Sequence, residues 1–210
     1  MENIISAIQS QKKDQDRINI FIDDKFAFGI SRFVGHSLVV GQELGPKQIQ
    51  RLADADEREK AYQRALRFIS YKPRTIFEVR EKLQKFEFEE IIIHSVLQEL
   101  EDKNYVNDRD YAAEWIQTRS SSKPRSRRQL SFELRKKGIS DDIIQNEIVH
   151  ALDDLDSALK LGRKYLNRYY QLDEKEFQKK MFGVLARRAF TFEIINKTIE
   201  KLLYERPKFD

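Results

Sequence analysis

Apolar and polar residues alternate near the start of the chain, between Arg17 and about Gln42. Isoleucine occupies every second position of the first run, at Ile18, Ile20 and Ile22. The pair Asp23-Asp24 separates this run from a second apolar run over 25–30. A period of two with a two-residue acidic break predicts a β-hairpin. Leu38-Val39-Val40 predicts a third short strand, and so small a sheet needs another element to pack on.

After Pro46 the apolar spacing becomes helical and remains so to the end of the chain. Proline suits the first position of a helix, so we expect Pro46 to begin a long charged helix that ends before Pro73. The apolar positions of this helix are Ile49, Leu52, Ala53, Ala61, Ala65, Leu66 and Ile69.

The helical part repeats itself at a spacing of 51 residues, without a gap. Lys72-Pro73-Arg74-Thr75 recurs as Lys123-Pro124-Arg125-Ser126. The apolar positions recur in three copies, as Leu83, Leu134 and Leu185, as Ile93, Ile144 and Ile195, and as Leu97, Ile148 and Ile199. Such a period indicates an array of stacked helical repeats, because one copy cannot bury its apolar stripe alone.

Capping residues divide each copy into three helices. Thr75 and Glu78 have the spacing of a capping box. In the second copy we expect Asp108 to cap the first helix, Ser126 the second and Ser140 the third. Gly138 follows two lysines, which is typical of a helix C-terminus.

These patterns predict a mainly α fold with three tandem three-helix repeats in an elongated curved array and a small N-terminal β element. The expected domains are an N-terminal β-rich extension over 1–45, a linker helix with the first repeat over 46–107, a second repeat over 108–155 and a third over 156–210.

Composition narrows the class of protein. The 210 residues include no Cys, which excludes disulfides, thiolate metal sites and Cys nucleophiles. No apolar run reaches the roughly 18 residues that a membrane span needs. The N-terminal stretch MENIISAIQS lacks the basic region and cleavage site of a secretory leader. We expect a soluble, cytoplasmic protein.

No residue pattern singles out a catalytic site. His36, His94 and His150 are far apart, and the phosphate-binding, dinucleotide-binding and nucleophile-elbow motifs are absent. Asp108 and Asp110 could form a metal pair, but no further ligand cluster follows them. We therefore expect a non-enzymatic protein with no cofactor and no metal.

Charge is arranged in blocks that follow the repeat. Between Gln117 and Lys137 there are eight basic residues and one acid, Glu133. Between Gly138 and Asp156 there are six acids and no Lys or Arg. Basic second helices would then alternate with acidic third helices, and stacking in register would align a basic stripe. A basic stripe of this kind attracts a polyanion or a charged filament groove.

Simpler explanations exist for both charges and aromatic residues. Exposed helix faces are usually charged, and i, i+4 pairs explain many Lys and Arg side chains. Most of the 14 Phe and 8 Tyr fall on apolar stripes, which favours core packing over stacking on bases. Trp115, Tyr169 and Tyr170 are the aromatic residues left as candidates for stacking.

Each copy also carries its own residue motif. The first copy has Arg74-Thr75-x-x-Glu78-Val79-x-x-Lys82-Leu83. The second has Asn107-Asp108-x-x-Tyr111-Ala112, then Arg119, then Glu133-Leu134-Arg135-Lys136-Lys137-Gly138-Ile139, and the third has Leu185-Ala186-Arg187-Arg188-Ala189-Phe190. Over about 60–205 the chain resembles RecX, a family of bacterial regulatory proteins. Two turns depart from the family pattern, since Lys123-Pro124 and Ala189 stand where Gly is common.

The resemblance implies a non-enzymatic regulator that binds the RecA–single-stranded DNA filament in its groove and inhibits the recombinase, ATPase and co-protease activities of RecA. It places the protein in DNA repair, homologous recombination and the SOS response. A direct DNA-binding module with a basic helical stripe is the alternative, and a scaffold or an unrecognised enzyme is a third possibility. We expect a monomer whose partner is RecA. If the protein is instead a DNA-binding module, we expect it to bind single- or double-stranded DNA.

Charge, rather than a family motif, selects the expected contact residues. They are Arg74, Arg119, Lys123, Arg125, Arg127, Arg128, Arg135, Lys136, Lys137, Arg163, Lys164, Arg168, Arg187 and Arg188. Arginine suits such contacts because its planar fork binds carboxylate or phosphate through two hydrogen bonds.

Overall fold

A computed structural model describes residues 3–122 and 124–206. Among them are three strands, β1 (Ile5–Ser10), β2 (Arg17–Ile22) and β3 (Lys25–Ser31). The helices of the described part are α1 (Pro46–Ser70), α2 (Ile76–Gln84), α3 (Glu90–Asp102), α4 (Asp108–Ser122), α5 (Arg127–Arg135), α6 (Asp141–Ala151), α7 (Asp154–Tyr169), α8 (Glu174–Ala186) and α9 (Phe192–Glu205). The fold is therefore mainly α, as predicted.

The strands form one antiparallel sheet in the order β1-β2-β3. The expected hairpin joins β2 to β3, and Asp23 and Asp24 both adopt positive φ, at 49° and 64°. Two successive positive φ values match the right-handed twist of a hairpin. The sheet buries Ile5, Ile18, Ile20 and Ile30 against the start of α1, which provides the packing partner that the sheet needs.

The predicted strand over 38–40 is wrong, and the third strand is instead β1. Val39 and Val40 are both 61% exposed, so these apolar side chains do not belong to the core. Gly41 follows at a φ of 90°, which turns the chain back toward β1, where its N–H donates to the Ile5 carbonyl.

Helix α1 is joined to the sheet by a buried carboxylate. Asp56 is 3% exposed and pairs with Arg17 at 3.0 Å and with Lys60 at 2.7 Å. Its Oδ1 also accepts the backbone N–H of Ser31 at 2.7 Å. One side chain thus connects β2, β3 and α1.

The chain divides into two compact units. The first contains residues up to Lys72 together with Val79–Tyr105, and the second contains Pro73–Glu78 together with the residues from Val106 onward. The start of α2 thus belongs to the same unit as helices α4 to α9.

The helical repeat is visible in the backbone. Glu87, Gly138 and Ala189 lie 51 residues apart and all have positive φ, at 60°, 78° and 59°. Each stands just after the second helix of its copy, where a left-handed residue ends the helix. The second copy packs around buried Leu130, Leu134 and Ile144, whose counterparts in the third copy are buried Met181, Leu185 and Ile195.

Most predicted caps are confirmed. The Thr75 Oγ1 accepts the Glu78 N–H while Glu78 Oε2 accepts the Thr75 N–H, which completes the capping box. Ser126 and Ser140 cap α5 and α6. The expected cap at Asp108 is wrong, because the side chain of Asn107 accepts the N–H groups of the first turn of α4.

Helix α7 begins at Asp154 with Asp153 as its N-cap. The acids near 153–156 therefore lie in the first turn of the third copy and are not part of an acidic third helix in the second copy. Negative charge is favoured there by the partial positive charge of the helix N-terminus. None of the helices among the described residues is long and apolar enough to cross a membrane.

Candidate partner-binding surface

The second compact unit contains two joints of matching construction. In the first joint, Thr75 Oγ1 donates to the Lys137 carbonyl at 2.7 Å, 62 residues along the chain. In the second joint, Ser126 Oγ donates to the Arg188 carbonyl at 2.9 Å, again 62 residues along. Both hydroxyl residues are fully buried. The N-cap of one middle helix is thus hydrogen-bonded to the C-terminal turn of the next.

A second hydrogen bond is repeated in both joints. The backbone N–H of Ile76 donates to Asp108 Oδ1 at 2.9 Å, and that of Arg127 donates to Asp154 Oδ1 at 2.7 Å. Each of these acids is the first residue of the next copy's first helix. This contact explains why Asp108 does not cap its own helix.

Two cations share one carboxylate at the first joint. Lys137 Nζ lies 2.5 Å from Glu78 Oε1, and Arg74 lies 3.9 Å from the same oxygen. The hydrogen bond to Glu78 raises the pKa of Lys137. These three side chains are between 16% and 30% exposed, so they are shielded from solvent and partnered within the fold.

An aromatic and basic face runs along α4 beside this joint. Tyr111 and Trp115 stack at a centroid distance of 5.9 Å, and the Arg119 guanidinium lies 4.3 Å from the Trp115 ring centroid. The indole Nε1 donates to Glu133 Oε2 at 3.1 Å. Tyr111 and Arg119 contact the Trp115 ring and Glu133 binds its N–H, so Trp115 is not free to stack on a base.

Glu133, the single acid of the basic block, is the centre of a cationic cluster. It forms ion pairs with Arg125 and, at 3.8 Å, with Arg119. Burial lowers the pKa of Arg125, and the neighbouring charges of Arg119 and Arg188 lower it further. Two arginines thus share one carboxylate while Arg188 adds a third positive charge nearby, which leaves a local excess of positive charge.

The second joint lacks an acid at the position that corresponds to Glu78. Gln129 stands 51 residues after Glu78, and Arg188 stands 51 residues after Lys137. Within residues 3–122 and 124–206, Arg188 has no carboxylate partner. Because Gln129 stands where the first joint has Glu78, Arg188 lacks the carboxylate that Lys137 has, whereas Arg125 pairs with Glu133.

Several residues of the predicted stripe are committed to the fold itself. Arg127 donates through Nε and Nη2 to the Leu152 carbonyl. Arg135 pairs with Asp141 at 2.6 Å, and Arg163 pairs with Glu205 through two contacts of 2.6 and 2.8 Å. Lys164 donates to the Ser122 carbonyl at 2.9 Å. These four cations stabilise helix ends and tertiary contacts.

The other members of the stripe are more accessible. Arg128 and Arg187 are exposed, and in the part of the chain that the structure describes neither has a carboxylate partner. Lys136 lies 4.5 Å from the Phe132 ring centroid, and Arg168 lies 5.9 Å from that of Tyr169, which itself stacks on Tyr165. Lys123 lies outside the described residues.

A cleft beside Arg128 and Arg187 was not predicted from the sequence. Its volume is about 600 Å³. Three phenylalanines of its lining remain exposed, Phe132 by 56%, Phe182 by 39% and Phe192 by 69%. The sequence contains a signal for these three phenylalanines. At the repeat spacing of 51 residues, they take the positions of polar residues in the preceding copy, namely Glu81, Ser131 and Asp141.

Models of four protein-family domains match consecutive parts of the chain. The RecX N-terminal domain matches residues 3–45, and the first RecX three-helix domain matches 61–100. The second and third three-helix domains match 107–146 and 152–199.

Curated relatives are similar over nearly the whole chain. The regulatory protein RecX of Bacillus velezensis and that of Bacillus subtilis are each 34% identical over 205 residues, which covers 96% of this chain and 78% of the relative. The regulatory protein RecX of Lactobacillus gasseri is 30% identical over 207 residues, which covers 97% of this chain and 76% of the relative. These relatives are named as regulatory proteins and not as enzymes.

Solved structures share the fold. A crystal structure of regulatory protein RecX superposes with a TM-score of 0.76 at 29% identity, over 94% of this chain and 98% of the other. RecX from Lactobacillus salivarius superposes with a TM-score of 0.65 at 29% identity, over 71% of this chain and 99% of the other. Identity at this level along the whole length, with all four domains in order, shows that the chain belongs to the RecX family of regulatory proteins.

Proposed function

We propose that this chain regulates the RecA recombinase by binding the RecA–single-stranded DNA filament in its groove, and that binding inhibits the recombinase, ATPase and co-protease activities. The proposal rests on membership of the RecX family along the whole chain. A filament of protein and DNA presents carboxylates and phosphates, which attract a cationic surface.

The structural observation that carries the proposal is the group of arginines without acid partners at the second joint. Arg128, Arg187 and Arg188 carry three positive charges there, and none of them has a carboxylate partner among the described residues. Charged groups that the fold does not neutralise are available to a partner. Such groups steer association and select the partner's register.

A charge-reversal variant tests this surface. We expect Arg128→Glu with Arg187→Glu to keep the fold, because both side chains are exposed and exposed substitutions usually change stability by about 0.5 kcal/mol or less. Inhibition of RecA ATP hydrolysis and strand exchange should weaken at least tenfold in the concentration required. The matched control is Lys12→Glu with Lys13→Glu, which makes the same change of net charge on the β1–β2 loop.

Two outcomes would contradict the proposal. The unmodified chain, in molar excess, could leave RecA ATP hydrolysis and strand exchange unchanged. Alternatively, the control pair could weaken inhibition as much as the reversal at the second joint, which would mean that only net charge matters.

The basic surface also supports direct binding of DNA as a second candidate function. The sequence pI is about 9.1, and Lys136 lies exposed on the same helical copy as Arg128. If phosphate contacts dominate, the logarithm of the affinity should fall by about 0.9 per neutralised phosphate for each tenfold rise in salt on duplex DNA. RecA inhibition that persists in a variant without DNA affinity would identify the filament protein as the partner.

A further inference from the structure

We propose that the cleft at the second joint is a docking site for a partner protein segment that inserts a large apolar side chain and carries flanking Asp or Glu residues. The proposal rests on the proposed function, since it assigns this segment to RecA in the filament. It concerns a surface formed by α5, α8 and α9 within the second compact unit.

Comparison of the two joints provides the first argument. At the first joint Phe77 packs on Gly138, and a Cβ at position 138 would overlap the Phe77 side chain. At the second joint the corresponding residues are Arg128 and Ala189. A charged side chain thus stands at the position of Phe77, and both residues line the open cleft of about 600 Å³.

The second argument is the exposure of the lining. Phe132, Phe182 and Phe192 replace polar residues of the preceding copy and remain between 39% and 69% exposed. Phe190 and Ile195 beneath them are buried, at 5% and 2% exposed, and form an apolar floor. Contiguous exposed apolar surface with a polar rim marks an interaction site in soluble proteins.

Charge at the rim indicates the chemistry of the occupant. Arg128 and Arg187 both line the cleft, and within the described residues no acid neutralises either of them. An apolar anchor between two arginines is complementary to an apolar side chain flanked by carboxylates, which arginine can bind through two hydrogen bonds. Aromatic residues and Arg are also the types enriched at the centres of protein interfaces.

The ring geometry favours a protein segment over single-stranded DNA. Phe182 and Phe192 meet edge to face, with centroids 6.1 Å apart and an interplanar angle of 63°. Platforms that bind single strands instead present ring faces on which successive bases stack. A side chain entering between Phe132, Phe182 and Phe192 would contact ring edges and faces together, as in a protein core.

Truncation of two exposed rings tests the site. We expect Phe132→Ala with Phe192→Ala to weaken binding to RecA–single-stranded DNA filaments by tenfold or more in a co-sedimentation assay, as central aromatic residues of interfaces do. The matched control is Phe26→Ala with Phe33→Ala, which removes two exposed phenylalanines, 60% and 73% exposed, from the first compact unit. Thermal unfolding measured by circular dichroism verifies that both variants are folded.

A photo-crosslink identifies the occupant directly and does not depend on truncation. A benzophenone amino acid is placed at Phe132 and the protein is irradiated on assembled filaments. An adduct with a RecA peptide that contains Asp or Glu beside a large apolar residue supports the proposal. An adduct with the DNA, or no adduct while the protein is bound, overturns it.

The outcomes separate this proposal from the function on which it rests. If the intact chain inhibits RecA and the Phe132 and Phe192 variant inhibits it equally well, the cleft is not the docking site and the regulatory function stands. If the intact chain neither binds filaments nor inhibits RecA, both proposals fail.

Discussion

The three left-handed residues that end the middle helices show how one position tolerates different side chains. Gly138 is required by its surroundings, because Phe77 fills the space that a Cβ would occupy. Ala189 adopts a φ of 59° and carries a Cβ because Arg128 replaces Phe77 there. The departure of Ala189 from the common Gly is thus explained by a change of its neighbour.

Gly138→Ala should destabilise the second compact unit by roughly 2–4 kcal/mol, since left-handed strain and overpacking add. Trp115 is the single tryptophan and lies in this unit, so its fluorescence during urea unfolding measures the change. In the Phe77→Gly background the loss should shrink, because this variant removes the whole side chain, including the Phe77 Cβ that lies nearest to the new Cβ. An equal loss in both backgrounds would contradict the packing explanation.

Asp56 makes stability depend on pH in the acid range. Burial raises the pKa of Asp56, but hydrogen bonds from Arg17, Lys60 and the Ser31 N–H together outweigh burial, so the pKa lies below its ordinary value of 3.8. A carboxyl with a lowered pKa contributes stability above its unfolded pKa. That contribution is lost as the pH falls below 3.8 and through the lower folded pKa.

Asp56→Asn should therefore cost roughly 3 kcal/mol at pH 7, because Arg17 loses its charged partner. As the pH falls from about 5 to about 2.5, the Asp56 carboxyl of the parent chain takes up a proton and its contribution to stability is lost. The variant has no such carboxyl, so it should lose less stability than the parent chain over this range. Urea unfolding followed by circular dichroism at several pH values measures both effects. The exposed Asp54→Asn is the control, and equal acid sensitivity in the two variants would refute the assignment.

At the scale of elements, the joints explain how consecutive copies are held together. A capping hydroxyl of one middle helix also donates to the terminal turn of the next. The N-cap residue thus has two hydrogen-bonding roles, one inside its helix and one across the joint. This double role accounts for the presence of Thr or Ser at both Thr75 and Ser126.

Ser126→Ala should cost roughly 2–3 kcal/mol, the sum of a lost N-cap and the lost hydroxyl contacts with the Arg188 and Ala189 carbonyls. Ser140→Ala removes an exposed N-cap alone and should cost about 1 kcal/mol. The difference, measured through Trp115 fluorescence in urea, isolates the joint. Identical costs for the two serines would show that the hydroxyl contacts with the Arg188 and Ala189 carbonyls contribute nothing.

At the scale of the whole molecule, the basic residues fall into two classes with different expected effects. Arg125→Ala and Arg127→Ala should each lower stability, by roughly 1–3 kcal/mol, because each removes hydrogen bonds or an ion pair within the fold. Arg128→Ala and Arg187→Ala should leave the thermal midpoint almost unchanged and reduce filament binding. The division would be contradicted if the Arg128 or Arg187 variant lost stability and kept its filament binding. It would equally be contradicted if the Arg125 or Arg127 variant kept its stability and lost filament binding.

Much of the fold could be predicted from the chain alone. The hairpin at Asp23-Asp24, the start of α1 at Pro46 and the capping box at Thr75 are encoded by a few adjacent residues each. Strand β1 was missed because its apolar positions do not alternate regularly, and the exposed run at 38–40 imitated a strand. The Asp108 cap was wrong because its carboxylate accepts a hydrogen bond from Ile76, which is 32 residues away.

The sequence by itself determined the repeat, the order of its helices and the excess of basic residues, because periodicity and capping are local properties. Only the tertiary structure decided which cations remain available. Arg127 and Arg163 find partners 25 and 42 residues away, whereas Arg128 and Arg187 meet no acid in the described part of the chain. The tertiary structure likewise decided that Phe132, Phe182 and Phe192 line one cleft, since packing between copies determines which apolar side chains are buried.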